Sequence, residues 1–462
     1  MNPFRKILHE EEGVATIWIS LMMMVFVAFI GLALDTGYTV WVGQKLQISA
    51  DAAALAGGYR IKTDVPSARN KARLVAYAND AAGDQVSLDA NYPNAPEGDI
   101  VVGRYDRGTG VFDPLSDKPN AIKVVARRTD SSIGGPVDLI FGQLFGIETF
   151  DMSRYAIAKV KGGLGTGVLI LNEDAPCALD IRGTAGTIQV NGGVAVVDSG
   201  DADAACHAGQ PTVMTDELYI VGGSDGGFDD KVNFEGDTYY DADYVPDPLL
   251  DLPSPNWDPA NNITTAIVDG VVTTLDPPGT INVDGGATVT ISPGYYSGGI
   301  TVRNGTLNAE PGIYILDGVG LDDNGGDLFA ADVMFHIIDS TPEDGTDSRV
   351  NLRGNGTIQI TGMVPLVYPD GPAIDAELAN ISVPIFQARD NLNDSRILGT
   401  NSFSLDGTIY MPNNHLEIGG TSEEFATGLI ADTLYAHGNG TLIINYQDQF
   451  GNPMPRAVFL VE

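Results

Sequence analysis

The two cysteines are the residues whose chemistry follows most directly from the sequence. Cys177 and Cys206 are the only thiols among the 462 residues. In an exported protein such a pair is expected to form a disulfide, which here would close a loop of about 30 residues and stabilise the fold by about 3–4 kcal/mol. Two buried free thiols are the alternative. A zinc site is disfavoured, because His207 is the one histidine near either cysteine.

A dense run of aspartates is the second feature that could do chemistry. Ca²⁺ takes several carboxylate and carbonyl oxygens at once, and such a run could supply them. The spacing matches neither an EF-hand loop nor a GGxGxD repeat, so a solvated acidic loop is the simpler interpretation and we expect no metal site. The run consists of Asp225, Asp229, Asp230, Asp237, Asp241, Asp243 and Asp247.

Catalysis would require partners for these acids. A polysaccharide lyase needs basic residues to abstract a proton and to stabilise the developing charge. Paired carboxylates for glycoside hydrolysis stay open, because spatial distance is invisible in a sequence. We expect no catalytic residue, no cofactor and no small-molecule substrate. The basic residues after Lys231 are scattered and comprise Arg303, Arg349, Arg353, Arg389, Arg396 and Arg456.

Charge divides the chain into two parts. Residues 1–165 hold 17 basic and 18 acidic side chains, whereas residues 166–462 hold 8 basic and 43 acidic ones. A break of this size predicts a domain boundary near residue 165. An acidic surface repels nucleic acid, so nucleic acid is excluded as a partner. Solubility is the simpler explanation of the charge, and cation binding is the alternative.

An apolar segment near the N-terminus predicts a transmembrane helix. Residues 14–34 are 21 residues without a charge, enough to cross a bilayer core about 30 Å thick. No small-residue cleavage site follows, which disfavours a signal peptide. Arg5 and Lys6 precede the segment, and the next basic residue is Lys45. Because basic residues stay inside, this pattern predicts a cytoplasmic N-terminus and a periplasmic or extracellular remainder.

The helix is expected to continue beyond the membrane. Leu46, Ala50, Ala53 and Ala54 share one side at helical spacing, and Gly57-Gly58 provides a stop. This face of small residues could receive another helix, or it could pack against the rest of its own domain. The sequence leaves both open.

Motifs on both sides of the apolar segment resemble a known family. Glu12-Gly13 precedes it, Asp35-Thr36-Gly37 follows it, and the stretch LQISADAAALAG covers residues 46–57. In this order and spacing they resemble the N-terminal segment of TadE/TadG-like proteins of Flp (Tad) pilus assembly. The resemblance implies a structural or assembly component in the inner membrane, with other pilus-assembly or envelope proteins as partners.

Two departures from the family pattern qualify what the resemblance implies. Pilin-like subunits carry a glutamate five residues after the processed glycine, and Trp18 occupies that position here. We therefore expect the Gly13–Val14 bond to stay intact. Many TadG-like proteins also carry a DxSxS metal motif, which is absent from this sequence, since Asp130-Ser131-Ser132 has a different spacing.

Residues 59–165 are predicted to form a small membrane-proximal α+β domain. Asp64 and Pro66 indicate the start of a helix over residues 67–82, with Gly83 as its stop. Residues 136–146 have the pattern of a second, amphipathic helix. Alternating apolar residues predict strands over residues 99–105, 121–127 and 153–160.

Residues 166–462 are predicted to be an all-β exported domain. A Gly-Thr-apolar-x-apolar unit recurs at Gly186, Gly279, Gly356 and Gly440. Irregular short strands of this kind favour a right-handed parallel β-helix, with a β-sandwich as the alternative. The predicted domains are thus an anchor at 1–58, an α+β domain at 59–165 and a β-helix at 166–462. A surface adhesin or matrix-binding protein is the second functional hypothesis, and a carbohydrate-active enzyme is the third.

Overall fold

The computed structural model describes residues 11–61, 64–106, 109–116, 119–162, 165–183, 187–342, 345–369, 371–399, 402–420, 426–438, 441–446 and 457–461. Gly186, Gly440, Arg5 and Lys6 lie outside these ranges. The chain is an N-terminal apolar helix followed by a mostly β body, and it divides into two compact units. Unit 1 comprises Met1–Lys161 with Pro455–Glu462, and unit 2 comprises Gly162–Met454.

Unit 1 is built on one long helix, α1 (Glu11–Gly58), followed by α2 (Val65–Tyr77). The predicted continuation of α1 beyond the apolar segment is confirmed. Its strands are β1 (Asp80–Ala81), β2 (Asp84–Gln85), β3 (Ile100–Asp106), β4 (Val111–Asp113), β5 (Ala121–Arg128), β6 (Val137–Asp138), β7 (Thr149–Phe150), β8 (Met152–Lys161) and, near the C-terminus, β34 (Ala457–Leu460).

An antiparallel sheet in the order β34-β8-β5-β3-β4 receives the small-residue face of α1. Leu46, Ala50, Ala53 and Ala54 are fully buried in a core shared with the sheet and α2. The face therefore packs against its own unit, which resolves the alternative that the sequence left open. The three predicted strands of this region are confirmed to within a residue or two as β3, β5 and β8.

Two helix predictions in unit 1 need correction. Asp64 caps α2 by accepting a hydrogen bond from the Ser67 amide, but the helix ends at Tyr77 and not at residue 82. Ala82 and Gly83 instead adopt positive φ in the tight turn between β1 and β2. Residues 136–146 do not form the expected amphipathic helix. They contain β6 and a short 3₁₀ turn, Gly142–Phe145, for a reason given below.

The described part of unit 2 contains one short helix, α3 (Phe228–Lys231), and a 3₁₀ turn, Leu378–Asn380. Its strands are β9 (Thr166–Ile170), β10 (Leu179–Gly183), β11 (Thr187–Asn191), β12 (Val194–Val197), β13 (Ala205–Gly209), β14 (Thr212–Ile220), β15 (Asn233–Tyr239), β16 (Thr265–Val268), β17 (Val271–Thr274), β18 (Thr280–Val283), β19 (Ala287–Ile291), β20 (Gly294–Tyr296), β21 (Gly299–Val302), β22 (Gly305–Ala309), β23 (Gly312–Leu316), β24 (Gly320–Asn324), β25 (Asp327–Ile337), β26 (Arg349–Gly354), β27 (Thr357–Gly362), β28 (Ile385–Gln387), β29 (Ser395–Gly399), β30 (Ser402–Asp406), β31 (Thr408–Gly420), β32 (Gly428–Gly438) and β33 (Thr441–Asn445).

Most of these strands recur in sets of three, and each strand of a set pairs in parallel with its counterpart in the next set. The exceptions are β16 and β17, which form an antiparallel hairpin whose β16 also pairs antiparallel with β19. One ladder runs β18-β21-β24-β26-β29, a second β19-β22-β25-β27-β30 and a third β20-β23-β25-β28-β31. Apolar residues stack from set to set, as where Val289, Leu307 and Leu328 occupy one register. The stacked side chains form one continuous core.

The spatial order of the sets differs from their order in the chain. The first set, β9-β10-β11, pairs on one side with β12-β13-β14 and on the other with the last strands, β32 and β33. Hydrogen bonds consequently join Asn172 to Asp432 and Asn191 to Asn445, which lie 260 and 254 residues apart. The first set is therefore stacked inside the array and not at its end.

Residues 240–262, which we call the strap, connect β15 to the distant set that begins at β16. Leu249 and Leu252 are buried against a cluster that includes Tyr368 and Tyr410. Arg389 donates hydrogen bonds of 2.7 and 3.1 Å to the Leu249 and Leu252 carbonyls. The strap is thus packed along the stacked strands and not a free loop.

Candidate membrane-anchor site

The two halves of α1 have opposite surroundings. Between Ile17 and Leu34 its large apolar side chains are exposed, with Trp18 62% and Met24 74% accessible. From Val42 onward the apolar face of the same helix is buried in unit 1. Of the described helices, α1 is the one long and apolar enough to cross a membrane. Its N-terminal half fits a membrane anchor, and its C-terminal half is part of a folded domain.

Asp35 lies where the apolar segment ends, and it holds a loop against the helix. Its carboxylate accepts hydrogen bonds from the backbone amides of Ile140, Phe141 and Gly142, at 2.7 to 3.1 Å. Asp35 is 7% exposed. Its negative charge is thus stabilised by three converging N–H donors. These contacts explain why residues 136–146 are not helical, since the carboxylate takes amides that a helix would bond internally.

Gly31 permits the close approach of this loop. A Cβ placed on Gly31 would lie 2.9 Å from both Cβ and Cγ of Phe141. No real contact is that short, so a side chain at position 31 would push the Phe141 ring away. Gly37, also in α1, has nothing within 4 Å of the equivalent position. Gly31 and Asp35 are one helical turn apart, and together they form the surface of α1 on which the loop packs.

The loop, residues 139–150, presents apolar side chains beside the anchor. Ile140, Leu144, Phe145 and Ile147 are all more than half exposed. A groove of about 590 Å³ separates the loop from α1. Its walls are mainly apolar and are formed by Val25, Ala28, Phe29, Leu32, Asp35, Thr36, Thr39, Leu139, Phe141, Gly142, Phe145, Ile147 and Phe150.

An aromatic pair lies just beyond the groove on α1. The rings of Tyr38 and Trp41 stack with centroids 5.9 Å apart, and the Lys45 ammonium lies 5.7 Å from the Trp41 ring. Aromatic and basic side chains of this kind are enriched at the boundary between lipid and water. Their position just beyond Asp35 fits a membrane anchor that ends near that residue.

The disulfide belongs to unit 2. Cys177 and Cys206 are joined, with a Cα–Cα distance of 5.0 Å and a sequence separation of 29 residues. Cys206 belongs to β13. This strand pairs with β10, which begins at Leu179, shortly after Cys177. The bond therefore links the starts of two neighbouring strands of adjacent sets.

The acidic run does not converge on one point. Asp225 lies 2.6 Å from the His207 ring, Asp229 accepts a hydrogen bond from Tyr240, and Asp247 accepts one from Tyr410. These three carboxylates thus have separate protein partners. Across the described ranges, no three His, Cys, Asp or Glu side chains are grouped as metal ligands would be.

Two buried carboxylates of unit 2 were missed by the sequence analysis. Burial raises the pKa of Asp198 and of Asp323 to about 7 each. Asp323 stands in the ladder register between Val302 and Leu352. Its Oδ1 accepts hydrogen bonds from the Gly325 and Gly326 amides, while its Oδ2 has no partner among the described residues. A signal was present, since Asp323 occupies an apolar position of the strand alternation.

The fold and the site together define a protein with one anchor-like helix, a small domain packed on that helix and a large β body. Two family models match its N-terminal part. Residues 13–79 match a model described as Flp pilus-assembly TadE/G-like, and residues 63–158 match one described as Tad-like Flp pilus-assembly. The resemblance noted from the sequence is thus confirmed over this part. No curated protein and no solved structure matches the chain.

Proposed function

We propose that this chain is a structural or assembly component of a Flp-type (Tad) pilus or a related secretion apparatus, held in the inner membrane by α1. The observation that carries the proposal is the run of family matches over residues 13–158. They cover the exposed apolar half of α1 and most of unit 1. The descriptions of both matched families name pilus assembly, which fits a structural role and not an enzymatic one.

The body of the protein then lies outside the cytoplasm, as a right-handed parallel β-helix over residues 166–462. Parallel pairing between successive sets supports this architecture, because a β-sandwich is built from antiparallel pairs. The Cys177–Cys206 disulfide supports an oxidising location. The acidic surface keeps the body soluble and suits contacts with other envelope proteins. The anchor at 1–58 and the domain at 59–165 connect this body to the membrane.

Topology and assembly are tested on the full chain. A reporter enzyme that is active only outside the cytoplasm, fused after Glu462, should be active, and activity of a cytoplasm-only reporter at the same point would exclude the proposed orientation.

A deletion strain should lack Flp fibres and regain them with the full-length gene. Normal fibres with lost surface attachment would instead favour the adhesin hypothesis.

The Gly13–Val14 bond is predicted to stay intact in the mature protein. A pilin-like subunit needs a charge inside its apolar helix to pair with the freed N-terminus of a neighbour. Trp18 supplies no charge at that position and is 62% exposed on α1, as suits a side chain in lipid. Intact-mass measurement of membrane-purified protein checks this. A species beginning at Val14 would show that the bond is processed and would reopen the pseudopilin interpretation. This chain as the main component of sheared fibres would contradict the assembly role.

A further inference from the structure

We propose that the uncharged part of this loop, residues 139–147, enters the lipid bilayer beside α1 and that phospholipid acyl chains fill the groove between them. The inference rests on the proposed membrane anchoring of α1 and adds a second point of insertion. It assigns a function to a surface whose apolar side chains otherwise face water at a large cost. Leu144 is 75% exposed and Phe145 63%.

The depth of the groove supports lipid as its occupant. Val25, Ala28, Phe29 and Leu32 form its wall on the α1 side, and all four belong to the uncharged segment of residues 14–34. Phe29 is about 9 Å deeper along the helix than Asp35, at 1.5 Å per residue. The loop side chains that face this wall therefore lie at the level of the hydrocarbon once α1 spans the membrane.

Backbone amides of the loop are hydrogen-bonded within the protein, as a segment in lipid requires. In lipid, an unpaired N–H group costs several kcal/mol, so an irregular segment can enter only if its amides are bonded internally. The Asp35 carboxylate takes the amides of residues 140–142. The amides of Leu139, Leu144, Gly146 and Ile147 bond to carbonyls within the loop. The Gln143 side chain donates to the Leu139 carbonyl.

The charge pattern of the loop agrees with this placement. Residues 139–147 contain no charged side chain, whereas Asp138 and Glu148 lie immediately outside. The apolar surface of the loop is also continuous, across the groove, with the exposed side chains of Val25 and Phe29 on α1. Because the loop surface is continuous with the surface of a membrane-spanning helix, both face the same lipid. We therefore assign lipid, and not a partner protein, as the occupant of the groove.

Site-directed spin labelling of the full-length protein in phospholipid nanodiscs tests the proposal. Single cysteines replace Leu144 or Ile140 in the loop, Met23 in the anchor and Leu115, an 81% exposed residue of unit 1 outside the loop. The native cysteines are joined in a disulfide, and wild-type protein provides the labelling blank. Collision rates with oxygen, which concentrates in lipid, and with a water-soluble nickel chelate are measured for each label.

The expected result is a several-fold higher oxygen-to-nickel ratio at positions 144 and 140 than at 115, close to the ratio at 23. A high ratio at 23 with water-like ratios at 144 and 140 would overturn the inference and leave the anchor intact. Water-like ratios at all four positions would overturn both. Protection of 144 and 140 from both probes would indicate a protein partner in place of lipid, and would equally overturn the inference.

Discussion

The Asp35 carboxylate accepts a 2.7 Å hydrogen bond from the Gly142 amide, 107 residues further along the chain. It also binds the two preceding amides, so one side chain of the anchor helix determines the backbone path of a distant loop. The Asp35-Thr36-Gly37 motif thus has a physical role at its aspartate. It positions a loop at the level where the helix leaves the apolar segment.

Replacing Asp35 by alanine is expected to release this loop. Hydrogen bonds to a charged group contribute about 1.5–3 kcal/mol each, and the three amides would be left unpaired. Hydrogen exchange at residues 140–142, followed by mass spectrometry in detergent, should accelerate on the order of a hundredfold or more. Asp138→Ala, which removes an exposed carboxylate in the adjacent strand, is the control. Equal exchange in both variants would refute the role of Asp35.

Adding a single methyl group at Gly31 is expected to displace the loop, while the same change at Gly37 is harmless. Gly31→Ala would place its Cβ 2.9 Å from Phe141, whereas Gly37→Ala meets nothing within 4 Å. Both changes remove a helical glycine and so have the same effect on helix propensity. Protease sensitivity of residues 139–150 should rise for Gly31→Ala alone. A similar response of the two variants would show that the close approach is unimportant.

Loss of the disulfide is expected to destabilise the β body. Substituting both Cys177 and Cys206 by alanine should lower its stability by about 3–4 kcal/mol, because the unfolded chain regains the freedom of the closed loop. Urea unfolding of the full-length protein, monitored by exchange in β10 and β13, measures the change. Reductant should destabilise the wild type and leave the double variant unaffected. Insensitivity of the wild type to reductant would contradict the prediction.

The buried Asp323 is expected to make the β body less stable as pH rises. Burial raises the pKa of this group to about 7 from its usual 3.8. Its proton is therefore retained in the folded state at pH values where the unfolded chain releases it. Its contribution to stability is fully present below pH 4 and is lost between about pH 4 and 7.

Asp323→Asn tests this pH dependence, because an amide keeps the Oδ1 acceptor for Gly325 and Gly326 but does not ionise. The variant should have a flatter stability profile and a higher unfolding midpoint than the wild type at pH 8. Asp332→Asn, which alters an exposed carboxylate in the adjacent β25, is the control and should follow the wild-type profile. A parallel shift of both variants at every pH would argue against ionisation of Asp323 as the cause.

Short-range interactions determined the elements that the sequence predicted well. An uncharged run followed by an alanine-rich stretch forms one helix up to Gly58, because each helical hydrogen bond is made four residues away. The alternating residues of β5 bury one side of the chain in the same local way, whereas β3 and β8 contain runs of residues buried on both faces. The cap of α2 at Asp64 is likewise a contact within one turn.

Tertiary contacts decided what local patterns could not. Residues 136–146 have a helical pattern, yet their amides bond to Asp35, more than a hundred residues earlier. In the β body, the Gly-Thr repeats present equivalent strand edges, so nothing in them specifies which set stacks on which. The first set pairs with the last. The strap leads the chain past Arg389, which follows β28 and binds the strap carbonyls, to the distant hairpin of β16 and β17. Parallel pairing does not depend on the distance along the chain, so tertiary contacts such as those of the packed strap accompany that order and local patterns do not predict it.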